Sequence, residues 1–399
     1  MQPEREPRPL SIFVVAAEES GDALGAALVG ALRAAYRGPL TLGGVGGRAM
    51  AAAGIASPFA IDALSIMGIA AIPRRLPTIL RRIRKAADAV VAAQPDALVI
   101  VDSPDFTHRV ARRVRRLAPA IPIVDYVAPS VWAWRPGRAR AMSAYIDQVL
   151  AILPFEPATY AKLGGPPCRY VGHPLIERLA ELRPNADEAA RRRSDPPVVL
   201  VLPGSRRGEI RQLGEIFGAG VAEAAARSGP MEFVLPTVPH LLPLVRDVVA
   251  GWAVTPRLVV EPAGKWAAFR RARAALAASG TVTLELALAG IPTVAAYRMS
   301  AVEAFIAIRV LRIVSRLPSV ILANLVIGEK VVPEFLQADC TPQRLAEALV
   351  PLLSDTPQRR RQVEAFDRLD AIMAIGGAAP SAQAAAIVLD VARRGRALR

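Results

Sequence analysis

"VVLVLPGSRRGEI", Val198–Ile210, holds the architecture in one stretch. Val198–Leu202 is apolar without alternation, so it predicts a strand covered on both faces, as in a parallel sheet. Pro203-Gly204-Ser205 breaks the run, Arg206 and Arg207 follow, and Glu209 and Ile210 begin a helical pattern. A strand that ends in a tight turn and feeds a helix is half of a βαβ unit. At that turn Gly204 lets the backbone approach a ligand closely. Ser205 offers a hydroxyl or a cap, and amides at a helix start favour anions. A guanidinium from Arg206 or Arg207 grips phosphate through paired N–H groups. The GKS/T of a Walker loop is missing, so the expected anion is held in another way. A turn with solvated arginines is the plainer alternative.

The same pattern repeats outward. Before the break, strands are expected at Ile12–Ala17, Leu40–Gly43, Ala97–Val101, Ile121–Val127 and Gln148–Ile152, with helices at Gly21–Tyr36, Gly47–Ala53, Leu76–Ala92 and Phe106–Leu117. Arg183–Pro197 is polar and proline-bounded, as a linker or interdomain helix would be. A second series follows, with strands at Glu232–Leu235, Arg257–Val260, Ala274–Ala278 and Pro292–Tyr297, and helices at Glu209–Ala226, His240–Ala250, Lys265–Arg273 and Thr281–Ala289. The expected fold is α/β: two doubly wound, Rossmann-like domains facing across a cleft, residues 1–183 and 184–372. In 373–399 a last helix, Ser381–Arg394, either returns to the first domain or reaches a partner subunit. A chain of 399 residues suits two such domains. Hydrophobic content of 53% with 5% aromatics makes the core one of Ala, Val, Leu and Ile and excludes disorder.

Net charge is +15, almost all of it arginine, since the lysines are only Lys85, Lys162, Lys265 and Lys330. Such a balance favours acidic partners or reflects solvated basic faces. Cys168 and Cys340 have no metal or redox spacing, which fits a reducing cytoplasm. The amino terminus lacks a signal-peptide pattern and no apolar window is long enough to span a bilayer.

Open α/β sheets bind ligands at the carboxyl ends of their strands. In "ASGTVTLEL", Ala278–Leu286, the turn Ser279-Gly280-Thr281 offers a second set of amides and hydroxyls, and Glu285 is placed either to accept from sugar hydroxyls or to serve as a first-turn acid. In "VDSPDF", Val101–Phe106, Asp102 stands at a strand end as a general base or a turn cap, with Asp105 as the expected cap of the helix. "AAEESGD", Ala16–Asp22, brings Glu18 and Ser20 to the same end, with Ser20 or Asp22 as alternative caps. "YVAPSVWAWRPGR" sets Trp132, Trp134 and Arg135 in a proline-bounded loop that either contacts substrate or packs between domains. His173 is a cleft residue or a satisfied hinge histidine, and Gly43–Gly47 only weakly suggests a dinucleotide loop.

Taken with "GVGGRAM", "IMGI", "ILPFE", "YVGHPL", "YRMS" and "LANLVIGEKVVPEFLQ", these motifs run in order from about residue 12 to 340 and resemble the lipid-A-disaccharide synthases, glycosyltransferases of GT-B architecture. The resemblance implies transfer of 2,3-diacylglucosamine from UDP to the 6-hydroxyl of 2,3-diacylglucosamine 1-phosphate, without metal or cofactor. It implies Gly204, Ser205, Arg206 and Ser279–Thr281 at the diphosphate, Glu285 at the ribose, and Tyr297 and Met299 near the uracil. Asp102 matches the family's proposed base, Glu18 and Asn324 match further catalytic positions, and Gln337 matches a polar donor-side position. Asn324 is expected in a loop at the cleft. Two departures stand out: Ala17-Glu18-Glu19 replaces the usual Gly-Glu-Thr, and Leu322-Ala323-Asn324 replaces the usual LPN.

Acylated substrates imply contact with an anionic inner-membrane surface from the cytoplasmic side. Two basic, apolar stretches suit it, one carrying Arg74, Arg75, Arg81, Arg82, Arg84 and Lys85, the other Arg309, Arg312 and Arg316; each is alternatively a core helix with a solvated edge. A nucleic-acid partner is not expected, for want of a groove-reading element or aromatic platform. Monomer and homodimer both remain open.

Overall fold

The computed structural model describes residues 8–61, 72–299 and 318–395. The chain divides into two compact units, Met1–Ile176 with Ala374–Arg399, and Glu177–Met373.

The first unit is built on β1 (Leu10–Ala16), β2 (Leu40–Val45), β3 (Ala97–Val101), β4 (Ile123–Tyr126), β5 (Gln148–Ala151) and β6 (Cys168–Tyr170). They form one sheet in the order β2-β1-β3-β4-β5-β6, and every pairing is parallel. Its helices include α1 (Glu19–Ala35), α2 (Arg48–Ala52), α3 (Ile72–Ala93), α4 (Pro104–Leu117) and α5 (Glu156–Lys162). The strands read as unbroken apolar runs because both faces are covered. Ile12 and Val14 turn to a core with Leu28, Leu32, Val388 and Leu389, while Phe13 and Val15 turn to one with Ile83, Val90, Val110 and Val114. Val388 and Leu389 belong to the C-terminal helix, Pro380–Arg394, which packs on α1.

The second unit holds β7 (Val198–Leu202), β8 (Glu232–Pro236), β9 (Arg257–Val259), β10 (Ala274–Ala278), β11 (Thr293–Tyr297) and β12 (Glu334–Leu336), in the order β12-β11-β10-β7-β8-β9. These pairings too are all parallel. Around the sheet lie α6 (Ala186–Arg193), α7 (Arg207–Ser228), α8 (Pro262–Arg271), α9 (Val282–Leu288), α10 (Leu322–Ile327) and α11 (Pro342–Leu349). In both sheets the strand order reverses beside the first strand of the unit, the topological switch point at which doubly wound sheets bind ligands.

Several local expectations need correction. The edge strands β6 and β12 carry no readable period because each has only three residues. Asp105 is not the cap of α4; Ser103 occupies that position and Pro104 follows it, while Asp105 lies 3.5 Å from Arg138. Asp22 caps another helix rather than its own. Its buried carboxylate accepts from the amides of Gly47, Ala49 and Met50 and so holds the start of α2. Gly46 and Gly47 therefore serve that packing. The stretch Arg183–Pro197 lies wholly within the second unit and is anchored there. Asn185 and Glu188 cap α6 reciprocally, and Arg192 donates to the carbonyls of Phe269, Arg270, Ala289 and Gly290.

Candidate active site

In the first unit the site residues gather at the carboxyl ends of β1 and β3, which are direct neighbours through Ala16 and Val101. The backbone leaves β3 through two consecutive left-handed residues, Asp102 at φ 53° and Ser103 at φ 47°. Non-glycine residues there carry strain of about 1–3 kcal/mol each, held only where the surroundings demand it. The demand is visible. Asp102 N donates to Tyr126 O at 3.0 Å, and Thr107 Oγ1 donates to Asp102 O at 2.6 Å. The carboxylate accepts from Ser103 N at 2.7 Å and from Ser20 Oγ at 2.9 Å. Ser20 thus orients Asp102 instead of capping α1. A Cβ on Gly21 would lie 3.1 Å from Val101 O, so a glycine is what lets α1 start this close to the turn. Glu18, the N-cap residue of α1, makes no side-chain cap and is exposed beside Ser20.

The ends of β4 and β5 bring in the aromatic loop. Trp132 donates to Glu156 at 3.1 Å and meets Phe155 edge to face at 5.4 Å. Trp134 lies under the guanidiniums of Arg135 and Arg138, at 4.2 and 5.5 Å. The loop is therefore packed into its own unit, with Arg135 exposed at its tip. Glu156, which sequence reasoning did not single out, is almost wholly buried, and desolvation pushes its carboxyl up to about 7 against the hydrogen bonds from Trp132 and Leu153. His173 is also buried; desolvation lowers it to about 4, and its Nδ1 accepts from Leu175 N. It is a satisfied histidine. Burial pushes the Cys168 thiol up as well, which keeps it out of nucleophilic chemistry.

In the second unit the strand ends enclose a cavity of about 450 Å³. It gathers Gly204, Ser205 and Arg206 from the β7 turn, Ser279, Gly280 and Thr281 from the β10 turn, and Glu285 from α9. Thr237 and Val238 after β8, and Lys265 on α8, complete it and were not foreseen. "LPTVP", Leu235–Pro239, was the available signal for the first two, a proline-bracketed turn after a strand. Gly204 has φ 122° and Gly280 φ 155°, and a Cβ at Gly204 would meet Glu209 at 2.4 Å. Two details differ from the sequence reading. The Glu209 carboxylate already accepts from Ser205 N and Arg206 N, so those amides are filled by the helix's own acid. Ser279 Oγ donates to Val320 O, so its hydroxyl is committed too. The Arg206 guanidinium, 80% exposed, is paired with Glu209 at 2.9 Å, and exposed pairs of this kind are weak.

Tyr297 and Gln337 sit at the carboxyl ends of β11 and β12, whose pairing brings Tyr297 opposite Leu336, and Met299 follows two residues on. None of the three lines the cavity. Asn324 is not in a loop. It lies in α10, buried, with its carboxamide oxygen accepting from Val331 N and Val332 N and its nitrogen donating to Val332 O and Ser319 Oγ. That arrangement ties α10 to the segment leading into β12. Arg81 and Arg82 lie on α3, whose Ile79, Ile83, Ala86 and Val90 enter the core. Arg82 donates to Ala60 O, whereas Arg81 is exposed. Ile79, Ile83, Ala86 and Val90 of α3 are thus turned to the protein core, while Leu80 is exposed. Arg309, Arg312 and Arg316 lie outside the described residues. Among the described residues there is no metal-ligating cluster and no helix long and apolar enough to cross a membrane.

Comparison with known proteins places these strand ends in context. A family model described as lipid-A-disaccharide synthetase matches residues 12–388. The chain belongs to the lipid-A-disaccharide synthetase family. A lipid-A-disaccharide synthase of Bradyrhizobium diazoefficiens is 61% identical over 392 residues, covering 98% of this chain and 99% of that one. One from Nitrobacter hamburgensis is 60% identical over 385 residues, covering 96% of each. This member of the family is accordingly a UDP-sugar glycosyltransferase of lipid A biosynthesis. Among solved structures, MurG of Acinetobacter baumannii matches with a TM-score of 0.58 at 16% identity, covering 96% of this chain and all (100%) of that one. A UDP-GlcNAc 2-epimerase of Neisseria meningitidis, bound to UDP-GlcNAc, matches with a TM-score of 0.57 at 12% identity, covering 97% and 100%. At such identities the likeness is one of fold, the GT-B architecture expected from the sequence.

Proposed function

We propose that the enzyme transfers 2,3-diacylglucosamine from UDP to the 6-hydroxyl of 2,3-diacylglucosamine 1-phosphate, with inversion at the anomeric carbon, giving the β-1,6-linked disaccharide phosphate and UDP. The observation that carries this reading, beyond family membership, is the cavity that joins Gly204–Arg206, Ser279–Thr281 and Glu285. One displacement suffices. Asp102 takes the proton of the acceptor hydroxyl, the oxygen bonds to the anomeric carbon, and the bond to the diphosphate breaks with its electron pair going to UDP. Ser20 and Ser103 N fix the direction of the Asp102 carboxylate before substrate arrives. On the donor side Arg206 and the glycine-opened turns receive the charge that accumulates on the diphosphate. When phosphate arrives, the exposed Arg206 transfers from Glu209 to it.

In this reading Glu285 accepts from the ribose hydroxyls, and Tyr297 and Met299 flank the base. Gln337 acts from the next strand end, Glu18 supports the acceptor beside Ser20, and Asn324 positions the segment into β12. Trp132, Trp134 and Arg135 form the acceptor side. Attachment to the anionic cytoplasmic face of the inner membrane rests on the exposed cations of α3, Arg81 and Arg84, with Leu80 exposed beside them. No role for metal or cofactor enters.

The test incubates purified enzyme with both diacylated sugars and follows UDP release together with disaccharide mass. Product from the acylated pair, and none from UDP-N-acetylglucosamine, is expected. Turnover of the unacylated sugar alone would replace the reading with another UDP-sugar activity. Co-sedimentation with anionic vesicles at low salt tests the attachment, and a protein that stays in the supernatant refutes it.

A further inference from the structure

The chain uses arginine for nearly every positive charge, yet the cation facing Glu285 in the donor cavity is Lys265, one of four lysines in the sequence. Its Nζ lies 2.7 Å from Glu285 Oε2. The ammonium is held from behind by aromatic faces, 4.2 Å from the Trp266 ring centroid and 5.2 Å from that of Phe269. Arg178 occupies the same indole at 4.7 Å. The ammonium is thus held against two aromatic faces while it addresses one carboxylate oxygen.

The choice of lysine has a chemical meaning. A guanidinium presents a fork that takes both oxygens of a carboxylate, whereas an ammonium is a point charge that can take one. Among the described residues Glu285 Oε2 carries the contact with Lys265 and no hydrogen bond reaches Oε1. A carboxylate pinned at one oxygen leaves the whole of the other oxygen to a ligand's hydroxyls. Pinned at both by a fork, it would keep only one lone pair on each oxygen, those turned away from the fork. Glu285 is the fourth residue of a seven-residue helix.

We propose that Lys265 is the positioning residue for ribose recognition: through a single-oxygen contact it holds Glu285 so that the carboxylate accepts the ribose hydroxyls, and the preference for ribonucleotide over deoxyribonucleotide belongs to the pair. This rests on the reading of the cavity as the UDP site and of Glu285 as the ribose acceptor.

The probes are UDP and 2′-deoxy-UDP, titrated calorimetrically into the full-length protein. The native protein is expected to prefer UDP by on the order of tenfold or more, the scale of a hydrogen bond to a charged group. Lys265→Met should bring the two ligands within about threefold of each other while leaving the affinity for inorganic diphosphate within about twofold of native. A folding defect, or a merely electrostatic role, would lower diphosphate affinity as well, and that result overturns the proposal. So does a native preference retained in Lys265→Met. Lys265→Arg restores the charge but brings a fork, and should not restore the preference; full rescue would overturn the single-oxygen geometry. Glu285→Gln separates the layers. If it keeps the native preference while UDP still binds, the ribose assignment of Glu285 fails. If the native protein does not bind UDP at all, the proposed function fails.

Discussion

The turn after β3 and the turn after β7 both carry the backbone to positive φ, with opposite kinds of residue. In the first unit Asp102 and Ser103 adopt it with side chains attached, and four hydrogen bonds, one donated by Asp102 N to Tyr126 O and three accepted by Asp102 from Thr107 Oγ1, Ser20 Oγ and Ser103 N, hold the turn and the carboxylate. In the second unit Gly204 adopts it with no side chain, as Gly280 does in the turn after β10, beside a cavity. On the proposed function, one turn stores strain to fix the base, and the other removes atoms so that a diphosphate can come close. A base must be aimed before the substrate arrives. A leaving group brings its own charge and needs only room and donors.

Asp102→Asn is the strongest way to break this contrast. It removes proton acceptance without altering the turn, so kcat should fall by about 10²–10⁴-fold with UDP affinity changed by less than about twofold, measured by UDP release and by calorimetry. Equal loss of UDP binding would mean that the two turns do not divide the work.

Titration gives the next test, because Glu156 and His173, both buried and strongly shifted, lie in the first unit with that turn. Glu156 is raised to about 7, so its contribution to stability is complete below the usual carboxylate value and is lost as pH rises from about 4.5 through 7. His173 is lowered to about 4, so its contribution is complete above about 6.5 and is lost as pH falls from there through 4. Across pH 4.5–6.5 the two oppose each other. Glu156→Gln should make stability climb with pH relative to the native protein, by up to roughly 3 kcal/mol, and His173→Gln should tilt it the other way. Denaturant unfolding at several pH values checks both signs, and unchanged profiles would mean that neither group is buried as described.

Arg206→Ala sharpens the donor side. Its contact with Glu209 is exposed, so thermal stability should barely move, while UDP affinity falls by about 10–100-fold. The smallest effects compare the turns directly. Gly204→Ala should cost about 1–3 kcal/mol and weaken UDP binding, since the new Cβ meets Glu209. Ser103→Gly should instead stabilise by about 0.5–1 kcal/mol in thermal unfolding while lowering kcat, because relieved strain frees Asp102. Like signs from these two substitutions would dissolve the distinction.

Much of this was legible in one dimension. Fully covered strands must be continuously apolar, so β1, β3, β7 and β10 announced themselves, and with them the strand-end positions of Asp102, Gly204 and Ser279. Glycine and proline mark where a chain turns, so the turns at Gly204 and Gly280 could be read without knowing their neighbours. The edge strands β6 and β12 were too short to show a period. What remained hidden depends on which chemical group meets which across sequence distance. Asp22 reaches 25 residues ahead to Gly47, Lys265 reaches 20 residues ahead to Glu285, and Glu209 fills the amides that its own motif seemed to offer a ligand. Local sequence determined where the backbone bends and which faces avoid water, because those follow from a residue and its near neighbours. Only the folded chain decided which polar groups are already satisfied, as with Asn324 and Ser279, and which are left for a substrate, because a hydrogen bond is settled by distance in space.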